Sequence, residues 1–213
     1  MKKIILAVAL LATTMVQAQS EKFAAAIGQN LETMKAAQSP DDFKAVAAAF
    51  ERIGDAEKTQ WLPYYYAGLN LTSMGWRDEK LDKDANSAKV LALCDKADAL
   101  TTDANDKAEI LSIRNMAYTQ QMLVDAPSRW MTYGQQAGKA LQEAMKLNAN
   151  NPRLYYLQGM SLFGTPEQFG GGKEKAKVQF EKAMELYGKE EAKPLYPNWG
   201  KEQTQDMIKQ CGE

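Results

Sequence analysis

A run of glycines followed by a lysine, Gly170–Gly172 and Lys173, is the first pattern in the sequence that could carry chemistry. Glycine-rich loops bind phosphate when free backbone N–H groups converge before a helix. The Walker pattern G-x-x-x-x-G-K-[ST] follows a strand and ends in Ser or Thr, whereas Glu174 follows here and helical sequence precedes. The run therefore predicts a wide turn between two helices, with an anion site at the start of the second helix as the alternative.

Neighbouring carboxylates are the second candidate group, because acid-base catalysis needs two such side chains in one buried cleft. The pairs are Asp41-Asp42, Asp82-Lys83-Asp84 and Glu190-Glu191. They fall at predicted helix starts or in charged stretches, where acidic groups interact favourably with a helix N-terminus. We therefore interpret them as solvated helix ends, and we predict no catalytic residue. The segment Asp103–Asp106 lacks the spacing and the closing Glu of a calcium loop, so no metal site is predicted.

The chain contains no histidine and two cysteines, Cys94 and Cys211. The absence of histidine removes Ser-His-Asp and Cys-His nucleophiles and most zinc and haem ligation. We expect Cys94 to be a small core residue on a helix and Cys211 to lie in the tail. A disulfide between them is the alternative, which sequence cannot decide. We predict neither a cofactor nor an enzymatic activity.

Residues 1–18, MKKIILAVALLATTMVQA, predict a secretory signal peptide that is cleaved after Ala18. Two lysines precede an apolar run, and Val16-Gln17-Ala18 has the small-x-small pattern of a cleavage site. The run is shorter than the ~20 residues that span a bilayer. We therefore expect an exported, periplasmic protein without a membrane-spanning segment, in which residues 19–213 form one domain.

Composition narrows the class of partner and of fold. Removing Lys2 and Lys3 from the 26 basic residues leaves 24 against 27 acidic ones. Nucleic-acid binding usually requires a clearly basic face, so that class is excluded. Ala, Met, Lys, Gln and Leu are abundant and β-branched runs are scarce, which favours helices throughout.

An apolar face with members at i, i+4 and i+7 recurs four times along the chain. Its members are Val46, Phe50 and Ile53; Val90, Cys94 and Ala97; Ala137, Leu141 and Ala144; and Ala176, Phe180 and Ala183. Counting 15 residues forward from Ile53, Ala97 and Ala144 reaches Gly68, Ser112 and Gly159, respectively. A constant offset indicates that one kind of short turn joins each helix to the next.

These residues resemble the tetratricopeptide repeat (TPR) family, which has a small residue on helix A and Ala-x3-Phe-x2-Ala on helix B. The resemblance implies an all-α fold, a TPR-like α-solenoid of about four helix-turn-helix repeats with a C-terminal capping helix. It assigns repeat packing to Gly68, Ala97, Ser112, Ala144, Gly159, Ala176, Phe180 and Ala183. Asn151-Pro152-Arg153, Thr165–Gly172 and Pro197-x-Trp199-Gly200 are similar to an exported bacterial subset of the family.

The departures from the family lie within repeats. The distance from the small residue of helix A to the last alanine of helix B exceeds the family spacing by 10, 13 and 5 residues in repeats two, three and four. We therefore expect lengthened helices or loops between helix A and helix B. The predicted helices span about 20–37, 40–54, 61–75, 81–100, 104–124, 128–147, 152–163, 173–187 and 199–211.

In TPR proteins helix A lines the concave face, and the resemblance therefore gives a predicted binding surface. Its residues are Tyr65, Leu69, Glu109, Ile113, Met116, Arg153, Tyr156, Met160 and Phe163. This surface is mainly apolar and aromatic, so it suits a peptide or helix of a partner protein in the cell envelope. The first hypothesis is thus a non-enzymatic interaction scaffold. The alternative is a transporter-associated carrier that binds a small apolar ligand in a closed pocket. A further reading is that these side chains are core, covered by the insertions or by the C-terminal helix.

Overall fold

The structure is a computed structural model that describes residues 21–212. This part of the chain is helical with connecting turns and contains no strand. No helix within it combines the length and the apolar character needed to cross a bilayer. The predicted signal peptide and its cleavage site lie outside the described residues.

Ten α-helices follow one another in these residues, joined by short connections. Helix α1 covers 21–36. The others are α2 (Pro40–Glu57), α3 (Leu62–Arg77), α4 (Lys83–Asp98), α5 (Ala104–Leu123), α6 (Ala126–Arg129), α7 (Gln135–Leu147), α8 (Pro152–Gly164), α9 (Lys173–Tyr187) and α10 (Lys201–Gly212). Most bounds lie within three residues of those predicted.

Local sequence explains where the helices begin. The Ser39 hydroxyl caps α2 by accepting a hydrogen bond from the backbone N–H of Asp42. The Asp42 carboxylate accepts one from the backbone N–H of Ser39, which completes a capping box. The side-chain oxygen of Asn151 caps α8 by accepting a hydrogen bond from the backbone N–H of Arg153. Pro152 takes the first helical position, where no N–H is required. Side chains of this kind satisfy N–H groups that a helix start leaves without a partner.

The glycine run forms the predicted turn. Gly170 and Gly172 have φ values of +90° and +109°, which only glycine adopts readily. The N–H groups of Gly170, Gly171 and Gly172 donate to the carbonyls of Glu167, Pro166 and Leu162, respectively. These three N–H groups donate within the turn, so they are not free to bind an anion. An anion site made by the N–H groups of the glycine run is therefore excluded.

Most successive helices pack against each other, and α5 lies beside both α3 and α8. Small residues permit this approach. A Cβ added to Gly68 would lie 3.7 Å from Val90 of α4 and 3.2 Å from Ile113 of α5. All eight side chains assigned to repeat packing are buried in the interior. Glycine and alanine at such positions let two helix backbones come close together.

Residues 126–147 are continuously helical, close to the single helix predicted over 128–147, but they contain a π-helical turn that was not predicted. Helix α6 has four residues, and a π-helical turn, Trp130–Gly134, joins it to α7. Asp125 and Pro127 start this new helical segment after α5 ends. The connection from α5 to α7 is therefore helical from Ala126 onwards.

Candidate functional site

The predicted binding surface lies largely in the core. Tyr65, Leu69, Ile113, Met116, Glu109 and Arg153 are buried, Tyr156 and Phe163 are half-buried, and Met160 is exposed. The structure therefore does not present these nine residues as an open groove. It agrees instead with the reading in which they are covered. Met207 of α10 belongs to the apolar cluster against which Tyr156 and Phe163 pack, so the C-terminal helix covers part of them.

The segment between α9 and α10, residues 188–200, covers another part of the predicted binding surface, and we call it the closing segment. The indole N–H of Trp199 donates to the hydroxyl of Tyr65 at 2.7 Å, and the hydroxyl of Tyr66 donates to the carbonyl of Leu195 at 2.8 Å. Tyr196 packs edge-on against Trp61. The chain thus fills its own helix-A face with aromatic side chains.

A buried ion pair lies beneath the closing segment. Arg153 donates through Nε to both oxygens of Glu109, at 2.8 and 3.0 Å, and through Nη2 to Glu190 at 2.6 Å. Asn151 and Tyr65 also donate to Glu109, at 2.7 and 3.2 Å. The carboxylate therefore has four hydrogen bonds from three side chains.

Burial sets the electrostatics of this network. Burial raises the pKa of Glu109, and the charge and hydrogen bonds of Arg153 oppose that rise. Burial alone would lower the pKa of Arg153, but Glu109 and Glu190 together raise it above its ordinary value. Each charge of the pair is thus compensated by several hydrogen bonds, and the network joins α5, α8 and residue Glu190.

The other carboxylates have local roles. Asp82 and Asp103 cap α4 and α5, as expected of solvated helix ends. Asp84 and Glu190 depart from that expectation, because each binds an arginine from a distant part of the chain. Within residues 21–212 no cluster of Cys, Asp and Glu could hold a metal ion. Cys94 and Cys211 are both free thiols.

A cleft of about 560 Å³ opens beside the closing segment. Its volume falls in the range of ligand sites. Its walls combine polar and apolar surface, and they include Asn105, Glu109, Arg153, Leu186, Lys193 and Tyr196. Glu185 already binds Lys182 and Lys189, at 2.8 and 2.5 Å. The cleft therefore offers amides and paired charges together with apolar surface.

A second surface region is rich in exposed apolar side chains. Five of the nine large apolar side chains that are well exposed in residues 21–212 occur where α3 and α5 end and where the π-turn follows. They are Trp76, Leu123, Val124, Trp130 and Met131, and we call this surface the apolar edge.

Contacts between the two connections bring these residues to one end of the molecule. Arg129, next to Trp130, binds Asp84 at the start of α4 with 2.7 and 2.9 Å bonds. Gln120, one turn before Leu123, donates to the carbonyl of Thr72 at 2.7 Å. The ends of α3 and α5 are therefore neighbours.

Sequence reasoning missed the apolar edge, although a signal was present. The edge lies at the insertions of repeats two and three, where the chain departs from the spacing of the family. The connection from α5 to α7 is flanked by Leu123-Val124 and Trp130-Met131, which makes it more apolar than a solvated connection requires.

Comparisons with known proteins connect this architecture to a ligand-binding protein. A scan against family models finds no match, and a search of curated proteins finds none either. Among solved structures, the HusA haemophore from Porphyromonas gingivalis is similar, with 30% sequence identity and a TM-score of 0.76. The match covers 90% of this chain and 92% of that chain. A similarity of this degree over nearly the whole of both chains identifies a common family, and the chain belongs to the family of the HusA haemophore.

Proposed function

We propose that the protein is an exported, non-enzymatic carrier that binds a small, largely apolar ligand of the haem class. The observation that carries this proposal is the match to a haemophore over 90% of this chain and 92% of that one. Because the match extends over most of both chains, it is not confined to one part of the fold. The carrier hypothesis therefore replaces the interaction scaffold as the first reading.

The closed helix-A face supports the same choice. A peptide-binding scaffold needs an accessible groove, and here Leu195, Tyr196 and Trp199 occupy the face on which a peptide would lie. We infer that the helix pairs form a TPR-like array whose usual peptide groove is filled by the chain itself. Binding then uses another part of the surface.

The composition bears on how haem would be held. Histidine is the commonest protein ligand of haem iron in oxygen carriers and peroxidases, and this chain has none. Among the usual side chains that bind haem iron, this leaves cysteine, methionine and tyrosine. Contact with the macrocycle therefore contributes most of the recognition in this proposal.

Export is part of the proposal, and its support is the N-terminal sequence. The N-terminal residues 1–18 predict cleavage after Ala18. Expression with this segment, fractionation of the cells and intact-mass measurement would test it. We expect a periplasmic protein that begins at Gln19, and an uncleaved cytoplasmic chain would contradict the prediction.

Titration with haem tests the carrier function. The processed protein is mixed with haem and followed by Soret absorbance and by native mass spectrometry. We expect a saturable 1:1 complex that is lost when the protein is unfolded in urea, because the site requires the fold. The urea-unfolded chain is the control for non-specific adsorption. Failure of the folded protein to bind haem any better than this control would overturn the proposal.

A further inference from the structure

The cleft beside the closing segment lies where four parts of the chain meet. The start of α5, the connection from α7 to α8, the end of α9 and the closing segment each contribute residues to its walls. Its volume of about 560 Å³ falls within the ~300–1,000 Å³ of small-molecule sites, which often lie between packed elements. A small molecule in this cleft would therefore contact several elements at once.

The buried ion pair fixes one wall of the cleft. Glu109 and Arg153 belong to the lining, and both side chains are almost completely buried. Hydrogen bonds with Asn151, Tyr65 and Glu190 hold them in place. A wall that is fixed before a ligand arrives loses little conformational entropy when the ligand binds.

Positive and negative charges balance each other around the cleft. Its lining contains four basic and three acidic side chains, which are Arg153, Lys182, Lys189, Lys193, Glu109, Glu190 and Glu191. Glu185, which binds both Lys182 and Lys189, adds a further negative charge beside them. A ligand with a large net charge of either sign finds no complementary field in such surroundings. The cleft therefore suits a neutral or zwitterionic molecule.

Two charged groups of opposite sign in the lining, Lys193 and Glu191, have no ion-pair partner among residues 21–212. The ammonium of Lys193 lies over the ring of Tyr196, 5.2 Å from its centroid. Asp106 is within range of the Lys193 charge, but its carboxylate already accepts hydrogen bonds from Thr101 and Tyr196. A free ammonium and a free carboxylate can form charge-assisted hydrogen bonds with the two ends of one zwitterionic ligand.

Three asparagine amides surround the same space from three different elements. Asn105 begins α5, Asn150 lies before α8 and Asn198 belongs to the closing segment, and none of their side chains has a hydrogen-bond partner in the described part of the chain. A carboxamide offers both N–H donors and a carbonyl acceptor, and a peptide bond needs one partner of each kind. Leu186 and Pro197 add apolar surface for a side chain.

We propose that this cleft binds a short peptide with free ends, of the size of a di- or tripeptide. Lys193 receives its carboxylate, Glu191 receives its ammonium, and the three asparagines bind its peptide bonds. Lys193 and Glu191 are two residues apart, a span of at most ~7 Å along the backbone, and their long side chains reach across the ends of such a ligand. This function is separate from the carriage of a haem-class ligand and does not depend on it.

Native mass spectrometry of the purified protein tests the proposal with three probes. The first is a synthetic tripeptide mixture with free ends and with any residue except cysteine at each position. The second is the same mixture with acetylated N-termini and amidated C-termini. The third is maltotriose, because amides also bind the hydroxyl groups of a neutral saccharide. We expect 1:1 adducts with the free tripeptides and few or none with the other two probes.

Calorimetric titration with the best-bound tripeptide then locates the site. The charge variant carries Glu191→Gln and Lys193→Gln, and the amide variant carries Asn105→Ala and Asn198→Ala. The matched control, Lys139→Gln/Glu143→Gln, changes an exposed lysine and an exposed glutamate of α7 outside the cleft. Circular dichroism and thermal melting verify that each variant is folded.

We expect the Kd to rise at least about tenfold in the charge variant, because hydrogen bonds to charged groups are lost. It should rise severalfold in the amide variant and stay within about twofold in the control. High salt should weaken binding to the unmodified protein, since the two free charges are exposed to solvent and are screened.

Several outcomes would overturn the proposal. Equal binding of free and blocked tripeptides would refute recognition of the two ends, and binding of maltotriose alone would replace the peptide by a saccharide. Unchanged affinity in both folded cleft variants would place the site elsewhere. A protein that binds haem and no tripeptide would refute this inference and leave the carrier function intact, whereas tripeptide binding without haem binding would do the reverse.

Discussion

Glu109 and Arg153 are 44 residues apart in the chain and form an ion pair that is almost completely buried. Removing one partner of such a pair leaves an uncompensated charge in the interior, which costs roughly 3–5 kcal/mol. We therefore predict that Glu109→Leu lowers the free energy of unfolding by about this amount. Urea denaturation followed by circular dichroism measures the change.

The double variant Glu109→Leu/Arg153→Met is the control for charge. Replacing both members of a buried pair by apolar groups is frequently neutral, so this variant should recover most of the lost stability. If single and double variants are equally unstable, the bonds from Asn151 and Tyr65 to Glu109 matter more than the charge of Arg153.

The two thiols should react very differently. Burial raises the pKa of Cys94 to about 12 from an ordinary value of 9.0, and the thiolate is the nucleophilic form. At pH 8 the thiolate fraction of Cys94 is thus about three orders of magnitude lower than that of an ordinary cysteine thiol. We predict that iodoacetamide modifies Cys211 in the folded protein and modifies Cys94 only after unfolding. Peptide mass spectrometry gives the site, and rapid labelling of native Cys94 at pH 8 would show that its helix opens readily.

Sequence reasoning at the residue scale could place Glu109 and Arg153 on one face but could not pair them. The repeat register puts both on helix-A positions, and it does not specify which side chains meet across two helices. Asn151 was predicted as a helix start, and its second role as a donor to Glu109 depends on the same packing. Pairing of this kind follows from three-dimensional proximity, which a single sequence does not contain.

At the scale of elements, glycines at helix crossings give a matched comparison. A Cβ on Gly159 of α8 would lie 2.4 Å from the ring of Phe180 on α9, whereas a Cβ on Gly138 of α7 would meet nothing within 4 Å. Gly159→Ala should therefore destabilise the protein by about 1–3 kcal/mol through overpacking. Gly138→Ala should stabilise it by about 0.5–1 kcal/mol, since alanine is the better helix former.

Thermal and urea unfolding of the two glycine variants compares them directly. Equal effects of the same sign would indicate that α8 and α9 can separate enough to admit a methyl group. Opposite signs would establish close packing at Gly159 as a requirement of this helix pair.

Helix positions could be predicted because their signals are local. Ser39, Asn151 and Pro152 act within one turn of the chain, and the turn at Gly170–Gly172 needs positive φ values that glycine supplies. The π-turn could not be predicted, because its geometry depends on how the α5–α7 connection packs against α4. The closing segment was likewise missed, since its contacts with Tyr65 and Tyr66 span more than 100 residues.

At the scale of the whole molecule, the position of the closing segment changes the function that the fold supports. A repeat array with an open helix-A face is suited to a peptide, and the sequence alone made that face appear available. With Trp199 and Leu195 on it, the face becomes interior. More than half of the large apolar side chains that are well exposed in residues 21–212 lie at the ends of α3 and α5 and in the π-turn.

Binding must also appear in the stability of the whole chain, because a ligand that binds only the folded state raises its unfolding free energy. At a free haem concentration of 100 Kd the gain is about 2.7 kcal/mol. For a domain of this size that corresponds to a rise in Tm of roughly 5–10 °C. Differential scanning calorimetry with and without haem measures the shift.

The increase in Tm should grow with the free haem concentration, because the gain in unfolding free energy depends on the ratio of that concentration to the Kd. A Tm that stays unchanged at haem concentrations well above the Kd from the titration would mean that haem binds the folded and the unfolded chain equally. That result would contradict the carrier function.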